Sequence, residues 1–272
     1  MRGISRRTLV LLCGLAAGAT AVPARAAVES SDPIKLTLHD WTGQFITTRI
    51  MGGVLTAMGY NVEFVQADYL AQFAGLEPGD LHVAMEIWQT TGADALAASL
   101  ATGKTVDLGE TGMLAKEEWW YPLYMKEKCP GLPDWQALAK CAEAFSTPET
   151  APKGRYLGGP VTWGGYDEER VEALGLDFEV VHAGTDAALF AELDSAYQRK
   201  APWIGWIKKV AWADGEQKWP CAYQAIRNFR IDNATMGGLI AKVDLEGQPV
   251  ESVVQEWLDA NKAVWEPWTK CS

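Results

Sequence analysis

The sequence predicts an α/β protein folded as two lobes, each on a mixed, mainly parallel sheet, with a hinge and a cleft between them. Three observations predict this. Stretches of period-two apolar alternation take turns with stretches of helical period. That order runs once up to about residue 100 and restarts after residue 134. The chain of 272 residues is long enough for two such units behind its leader.

The leader is residues 1–26. Arg2, Arg6 and Arg7 make a basic start, an apolar run follows over 9–22, and Ala24-Arg25-Ala26 is an A-x-A cleavage site. This is the pattern of a secretory signal cut before Ala27, and its apolar run is too short to span a bilayer. Ser5-Arg6-Arg7 permits the twin-arginine route beside the general one. The expected location is the periplasm.

The first part of lobe I is assigned to residues 27–124. Ile34, Leu36 and Leu38 alternate with polar partners and make a strand ending near His39. Phe45, Ile46, Ile50, Met51, Val54, Leu55 and Met58 follow at helical spacing over 42–58, and Gly59 stops that helix. Strands are expected at 61–66 and 81–87, and helices at 69–74 and 91–100. Together these form a βαβαβ unit with a parallel sheet. Lobe II is assigned to residues 125–225. Helices are expected at 134–145 and 166–174, with another capped by Thr185 and running to about residue 199. Its strands are expected at 155–158, 178–182 and 202–207. Residues 226–272 read as a return segment packing on lobe I through an amphipathic helix at 250–264, with Val253, Val254, Trp257 and Leu258 on its apolar face.

Without the four arginines of the leader, 20 basic residues face 35 acidic ones, a net charge of −15. That disfavours nucleic acid and anionic membranes as partners and favours cationic ligands. The leader's Cys13 reads as part of the apolar run, which leaves Cys129, Cys141, Cys221 and Cys271. Four cysteines allow three pairings. Two disulfides are expected in an oxidising compartment. Cys129–Cys141 would close a short loop and Cys221–Cys271 would pin the tail, each adding roughly 2–4 kcal/mol. With no C-x-x-C pair and with His39, His82 and His182 far apart, no metal or cofactor site is expected.

The chain carries 13 Trp, 8 Tyr and 7 Phe. In open parallel sheets, ligands bind beyond the carboxyl ends of the strands. Trp41 (HDWTGQ) and Trp88 (MEIWQTT) lie just past first-lobe strands. Trp163 (GGPVTWGG) and Trp206 (WIGWIKK) lie at second-lobe strand ends. Trp120 and Tyr121 (EEWWYPLY) sit where the chain crosses between lobes, and either ring fits the site. An aromatic cage suits a methylated ammonium, which makes no strong hydrogen bond and is held by ring faces, at about 0.5–2 kcal/mol per contact. Asp40 and Glu86 would add attraction for a cation, and backbone N–H groups of the Gly164-Gly165 turn would hold a carboxylate or oxide. Trp135, Trp212, Trp219, Trp257, Trp265 and Trp268 fall away from strand ends and read as packing; Trp203 fits either role.

DWTGQ, then EIW, then WWYPLY with PGLPDW after it, then GW in the second lobe, resembles the substrate-binding protein of glycine betaine/choline-type ABC transporters. The resemblance covers nearly all of the exported chain. It implies a type II-like periplasmic-binding-protein fold that closes on a quaternary ammonium osmolyte without catalysis, works as a monomer, and delivers its ligand to a membrane permease with an ATPase partner. By motif the cage is Trp41, Trp88, Trp120 and Trp206, with Trp163 added from the glycine-rich turn. Two departures bear on the ligand. Some choline-type members carry an acid where Gly43 stands here. Some betaine-type members follow the last cage tryptophan with a proline-containing turn, where this chain has Ile207-Lys208-Lys209. Glycine betaine, choline, carnitine, trimethylamine N-oxide and dimethylsulfoniopropionate all remain within the class.

The alternative is a secreted carbohydrate-binding protein or glycosidase that stacks sugars on tryptophan. A glycosidase needs two carboxyls across the bond, and Glu86 with Glu117 or Glu118 shows no spacing that supports this. A relative binding primary amines or amino acids would need an arginine close to a strand end. Arg49, Arg155, Arg170 and Arg199 are not so placed.

Overall fold

A computed structural model describes residues 28–113, 119, 121–189, 191–192, 210–212 and 214–271. The first strand, β1 (Ile34–Leu38), has Ile34, Leu36, Thr37 and Leu38 buried, because both faces of its sheet are covered. Helix α1 (Thr42–Met58) lays Ile46, Ile50, Met51, Val54 and Leu55 on that sheet. Gly59 ends it at φ 108°, donating its N–H to the carbonyls of Leu55 and Thr56. A left-handed stop of this kind is open to glycine at little steric cost. There follow β2 (Val62–Gln66), α2 (Ala71–Leu76), β3 (Val83–Ala84), α3 (Ala93–Ala101) and β4 (Thr105–Asp107). The βαβαβ unit is present, with β1 parallel to both β2 and β3.

The next segment differs from expectation. After α4 (Met125–Lys128), the helix expected at 134–145 is a chain of single turns: a 3₁₀ turn at Trp135–Ala137, α5 (Leu138–Cys141), and a second 3₁₀ turn at Ala142–Phe145. Only Ala137 and Ala142 are buried there, so no continuous apolar stripe holds a longer helix down. Trp135, read as packing, is 43 % exposed.

Strand β5 (Gly154–Gly158), α6 (Asp167–Ala173) and β6 (Phe178–His182) then form a second, two-stranded parallel sheet. Residues 186–189 and 191–192 are helical, and the Ala188 N–H donates to the Thr185 hydroxyl at 3.1 Å, the expected cap. The strand expected at 202–207 lies outside the described residues.

The chain rejoins the first sheet at β7 (Val210–Trp212), which inserts antiparallel between β3 and β4 to give the order β2-β1-β3-β7-β4. From Val210 to Trp212 the chain is thus paired with the first sheet, ahead of residue 225. Beyond it lie α7 (Gly215–Lys218), α8 (Pro220–Asn228), α9 (Asn233–Asp244), α10 (Val250–Ala260) and α11 (Lys262–Trp265). They close the main core with Trp219, Tyr223, Phe229, Val253, Val254, Trp257, Leu258 and Trp268, all buried against α1 and the sheet. Each such side chain contributes about 1.5–3 kcal/mol. Trp219, Trp257 and Trp268 are packing residues as expected, and Trp265 is half-buried against them. Cys129–Cys141 and Cys221–Cys271 are both bonded, with Cα atoms 5.5 and 5.2 Å apart. The second bond ties α8 to the tail.

Candidate functional site

Trp41 follows β1 and is the N-cap residue of α1. The turn that presents it is held by Gln44, whose side chain accepts from the His39 N–H at 2.9 Å and donates to the Thr37 carbonyl at 2.7 Å. His39 supports the indole from behind, its ring stacked on Trp41 at 4.9 Å and 18°. His39 is itself fixed at Nδ1 by the Ala67 carbonyl, 2.8 Å, and at Nε2 by the Gln72 amide, 3.0 Å. Burial pulls the His39 pKa below its usual value, against the Ala67 and Gln72 oxygens that would raise it. His39 is the hydrogen-bonded strand-end histidine that its position after β1 favours.

Three further rings surround Trp41, all steeply inclined to it. Trp88 stands 6.0 Å away at 89°, Trp163 5.5 Å away at 74°, and Tyr69 6.0 Å away at 64°. Such edge-to-face placing suits aromatic quadrupoles. Trp88 follows β3, and its backbone is clamped by Tyr69, whose hydroxyl accepts from the Trp88 N–H at 2.7 Å and donates to the Trp88 carbonyl at 3.1 Å. Trp163 comes from the second sheet, on a 3₁₀ turn (Val161–Trp163) after β5. Gly159 makes room for it, since a Cβ there would collide with the indole.

The indole N–H groups of Trp41 and Trp163 are turned onto carboxyl groups. Trp41 Nε1 donates to Glu86 Oε1 at 2.5 Å, and Trp163 Nε1 donates to Asp40 Oδ1 at 2.8 Å. These rings therefore offer π surface rather than donors. Glu86 is fully buried, and burial pushes its carboxyl up to about 8, against the opposing pull of the Trp41 and Trp88 indoles and the Thr47 hydroxyl. Its second oxygen and the Trp88 indole nitrogen are both buried without a hydrogen bond of ordinary geometry. The two atoms belong to neighbouring groups, the Trp88 indole acting on the Glu86 carboxyl.

The structure thus brings together Trp41, Trp88, Trp163 and Glu86 of the expected set. Trp120 and Trp206 lie outside the described residues. Tyr121 is placed elsewhere, against the cluster of Met125, Cys129, Leu132 and Ala137. Gly164 cannot serve as the expected amide donor, because its N–H is spent on the Val161 carbonyl at 3.1 Å, and α6 starts three residues later at Asp167. Gly164 instead holds φ +67° and lies against Leu70, which a Cβ would approach to 2.7 Å. Tyr69 was not foreseen. It stands at the start of a short helix, and only the fold reveals that its ring faces the cage. Among the described residues no group of three or more His, Cys, Asp or Glu is arranged to hold a metal ion.

A family model described as the substrate binding domain of the ABC-type glycine betaine transport system matches residues 32–208 and 205–260. The trimethylamine N-oxide-binding protein of Pelagibacter ubique (strain HTCC1062) is 31 % identical over 291 residues, spanning 90 % of this chain and 93 % of its own. Among solved structures, an ABC-transporter choline-binding protein in complex with choline superposes with a TM-score of 0.76 at 17 % identity, covering 88 % of this chain and 92 % of that one. Lactococcal OpuAC, closed on glycine betaine, gives 0.72 at 14 % identity, covering 88 % and 100 %. The fold is that of the two-lobed periplasmic binding proteins. The chain belongs to the family of substrate-binding domains of ABC-type glycine betaine transporters.

Proposed function

We propose that the protein captures a small methylated onium compound between its lobes outside the cytoplasm, and hands it unchanged to the permease and ATPase of an importer. One observation carries this reading. Three tryptophans from strand ends of two different sheets converge, and two of them turn their N–H groups away onto Asp40 and Glu86. A site with such walls selects a ligand that wants ring faces. Three or four cation–π contacts at up to about 2 kcal/mol each approach the roughly 8 kcal/mol of a micromolar complex. Trp120 and Trp206 complete the proposed cage by the family motif. A sugar site would want planar hydrogen-bonding side chains such as Asn, Gln and Arg beside each ring, and the rings are flanked mainly by Gly, Ile and Thr.

Within the class, trimethylamine N-oxide is the ligand we place first. The Pelagibacter relative is named for binding it. Gly43 provides no carboxylate for a cationic ligand, where some choline-type members carry an acid.

The test is calorimetric titration of the exported chain, residues 27–272, with trimethylamine N-oxide, glycine betaine, choline, carnitine, dimethylsulfoniopropionate, glucose and glycine. Micromolar binding of one or more onium compounds, silence with glucose and glycine, and a loss of roughly tenfold or more in Trp41→Ala and Trp163→Ala are expected. Silence with every onium compound, or variants within twofold of the parent, would overturn the cage.

A further inference from the structure

Among the described residues, specific contacts beside the Trp41–Trp163 ring pair join the two halves of the site. From the first sheet, Asp40 follows β1 and its Oδ1 accepts from the indole N–H of Trp163, which follows β5 of the second sheet. From the second sheet, Asp186 follows β6 and its Oδ2 accepts from the Thr42 N–H at 3.3 Å. Beside these, the Leu70 side chain rests on Gly164.

The Thr42 contact has a local reason. Helix α1 runs for 17 residues, and its N-cap position is held by Trp41, which has no oxygen to satisfy the first amides. A capping carboxylate at that end answers both the free N–H and the positive end of the helix dipole. Here the carboxylate arrives from the other lobe. The Thr42 hydroxyl donates to Asp244 at 2.7 Å. Burial, together with the Asp244 and Asp40 carboxylates, pushes the Asp186 carboxyl above its usual range, as expected of a group that closure takes out of water.

We propose that Asp40 and Asp186 form the latch of the closed state: Asp40 seizes Trp163, and Asp186 caps α1 across the cleft. This rests on the binding function proposed above. Both aspartates are positioning residues that slow ligand escape. Neither contact exists while the lobes stand apart, so the latch contributes after encounter and its loss appears in the dissociation rate. A partly buried donor left without its acceptor costs about 1 kcal/mol or more, enough to raise that rate roughly tenfold.

The experiment is stopped-flow tryptophan fluorescence on the exported chain with trimethylamine N-oxide, repeated with glycine betaine and choline. Asp40→Ala and Asp186→Ala are expected to raise koff roughly tenfold with kon within about twofold of the parent. Asp40→Asn and Asp186→Asn keep an acceptor oxygen and are expected to restore koff, which a merely structural loss would not do. Should Asp40→Ala fail to fold, Asp186→Ala carries the same test. An unchanged koff in the alanine variants, a fall in kon alone, or no rescue by asparagine overturns the latch while the parent still binds. A parent protein that binds none of the three ligands overturns the binding function, and the latch with it.

Discussion

Replacing Glu86 by glutamine should make the protein's stability much less sensitive to pH. Glu86 is fully buried, and its carboxyl is pushed from the ordinary 4.5 up to about 8. A carboxyl raised in the folded state keeps its proton longer than the unfolded chain does. Its contribution is therefore fully present below about pH 4.5 and is lost as pH rises through about 8. At about 1.4 kcal/mol per pKa unit, the gap comes to roughly 5 kcal/mol across that window. For a chain of this size each kcal/mol moves the melting temperature by about 2–4 °C, so the effect amounts to roughly 10–20 °C. Glutamine keeps an oxygen for the Trp41 indole and has no proton to lose. Ligand-free melting curves of parent and Glu86→Gln should be taken in half-unit steps from pH 5 to pH 9. The difference between the two proteins should swing towards the variant by most of that amount, because every other titrating group is common to both. Parallel curves would refute the reasoning, and would mean that Glu86 is solvated or paired as an ion.

Other consequences are open to measurement. Gly164→Ala forces a side chain into φ +67° and against Leu70, and should cost about 1–3 kcal/mol in urea unfolding. Cys221→Ser with Cys271→Ser opens a loop of sequence separation 50 and should cost about 4 kcal/mol, against about 3 for the Cys129/Cys141 pair at separation 12, both read from denaturant midpoints. At His182, burial lowers the pKa, but the Gly159 carbonyl at 2.6 Å and the Glu168 carboxylate at 2.8 Å outweigh it, with Asp167 adding to the rise. Its net shift is upward, so its stabilisation is complete below the usual 6.5 and fades as pH rises through the raised value. His182→Gln should remove that fade from melting curves between pH 5.5 and 8.5.

Much of the fold could be read from local pattern. Strand β1, with Ile34, Leu36 and Leu38 in alternation, and helix α1, with apolar residues at helical spacing and a Gly59 stop, declared themselves through the period of their apolar residues. Trp41, Trp88 and Trp163 were legible through strand order, since the carboxyl ends of parallel strands converge on one edge. What escaped was short or non-local. Strands β4 and β7 have three residues each, too few for a period to show, and the place of β7 between β3 and β4 depends on pairing with distant chain. Helix-like spacing over 134–145 misled because a disulfide and a few alanines hold that segment, with no broad apolar face. Tyr69 and Asp186 carry no sequence signal of their own. Each matters only because the fold sets it beside Trp41 or Thr42.

The late insertion of β7 has a mechanical consequence. The chain leaves the first sheet after β4, builds the second, and comes back to lie between β3 and β4. The two bodies are therefore joined by two separate stretches of backbone. One tether would let them swivel and twist freely. Two leave a single easy degree of freedom, rotation about the line through both, and resist sliding or torsion. In the proposed closure, the Trp163 edge would then return to the same bearing over Trp41 each time. The accuracy of the ring geometry is set by the topology of the chain as well as by the packing around each indole.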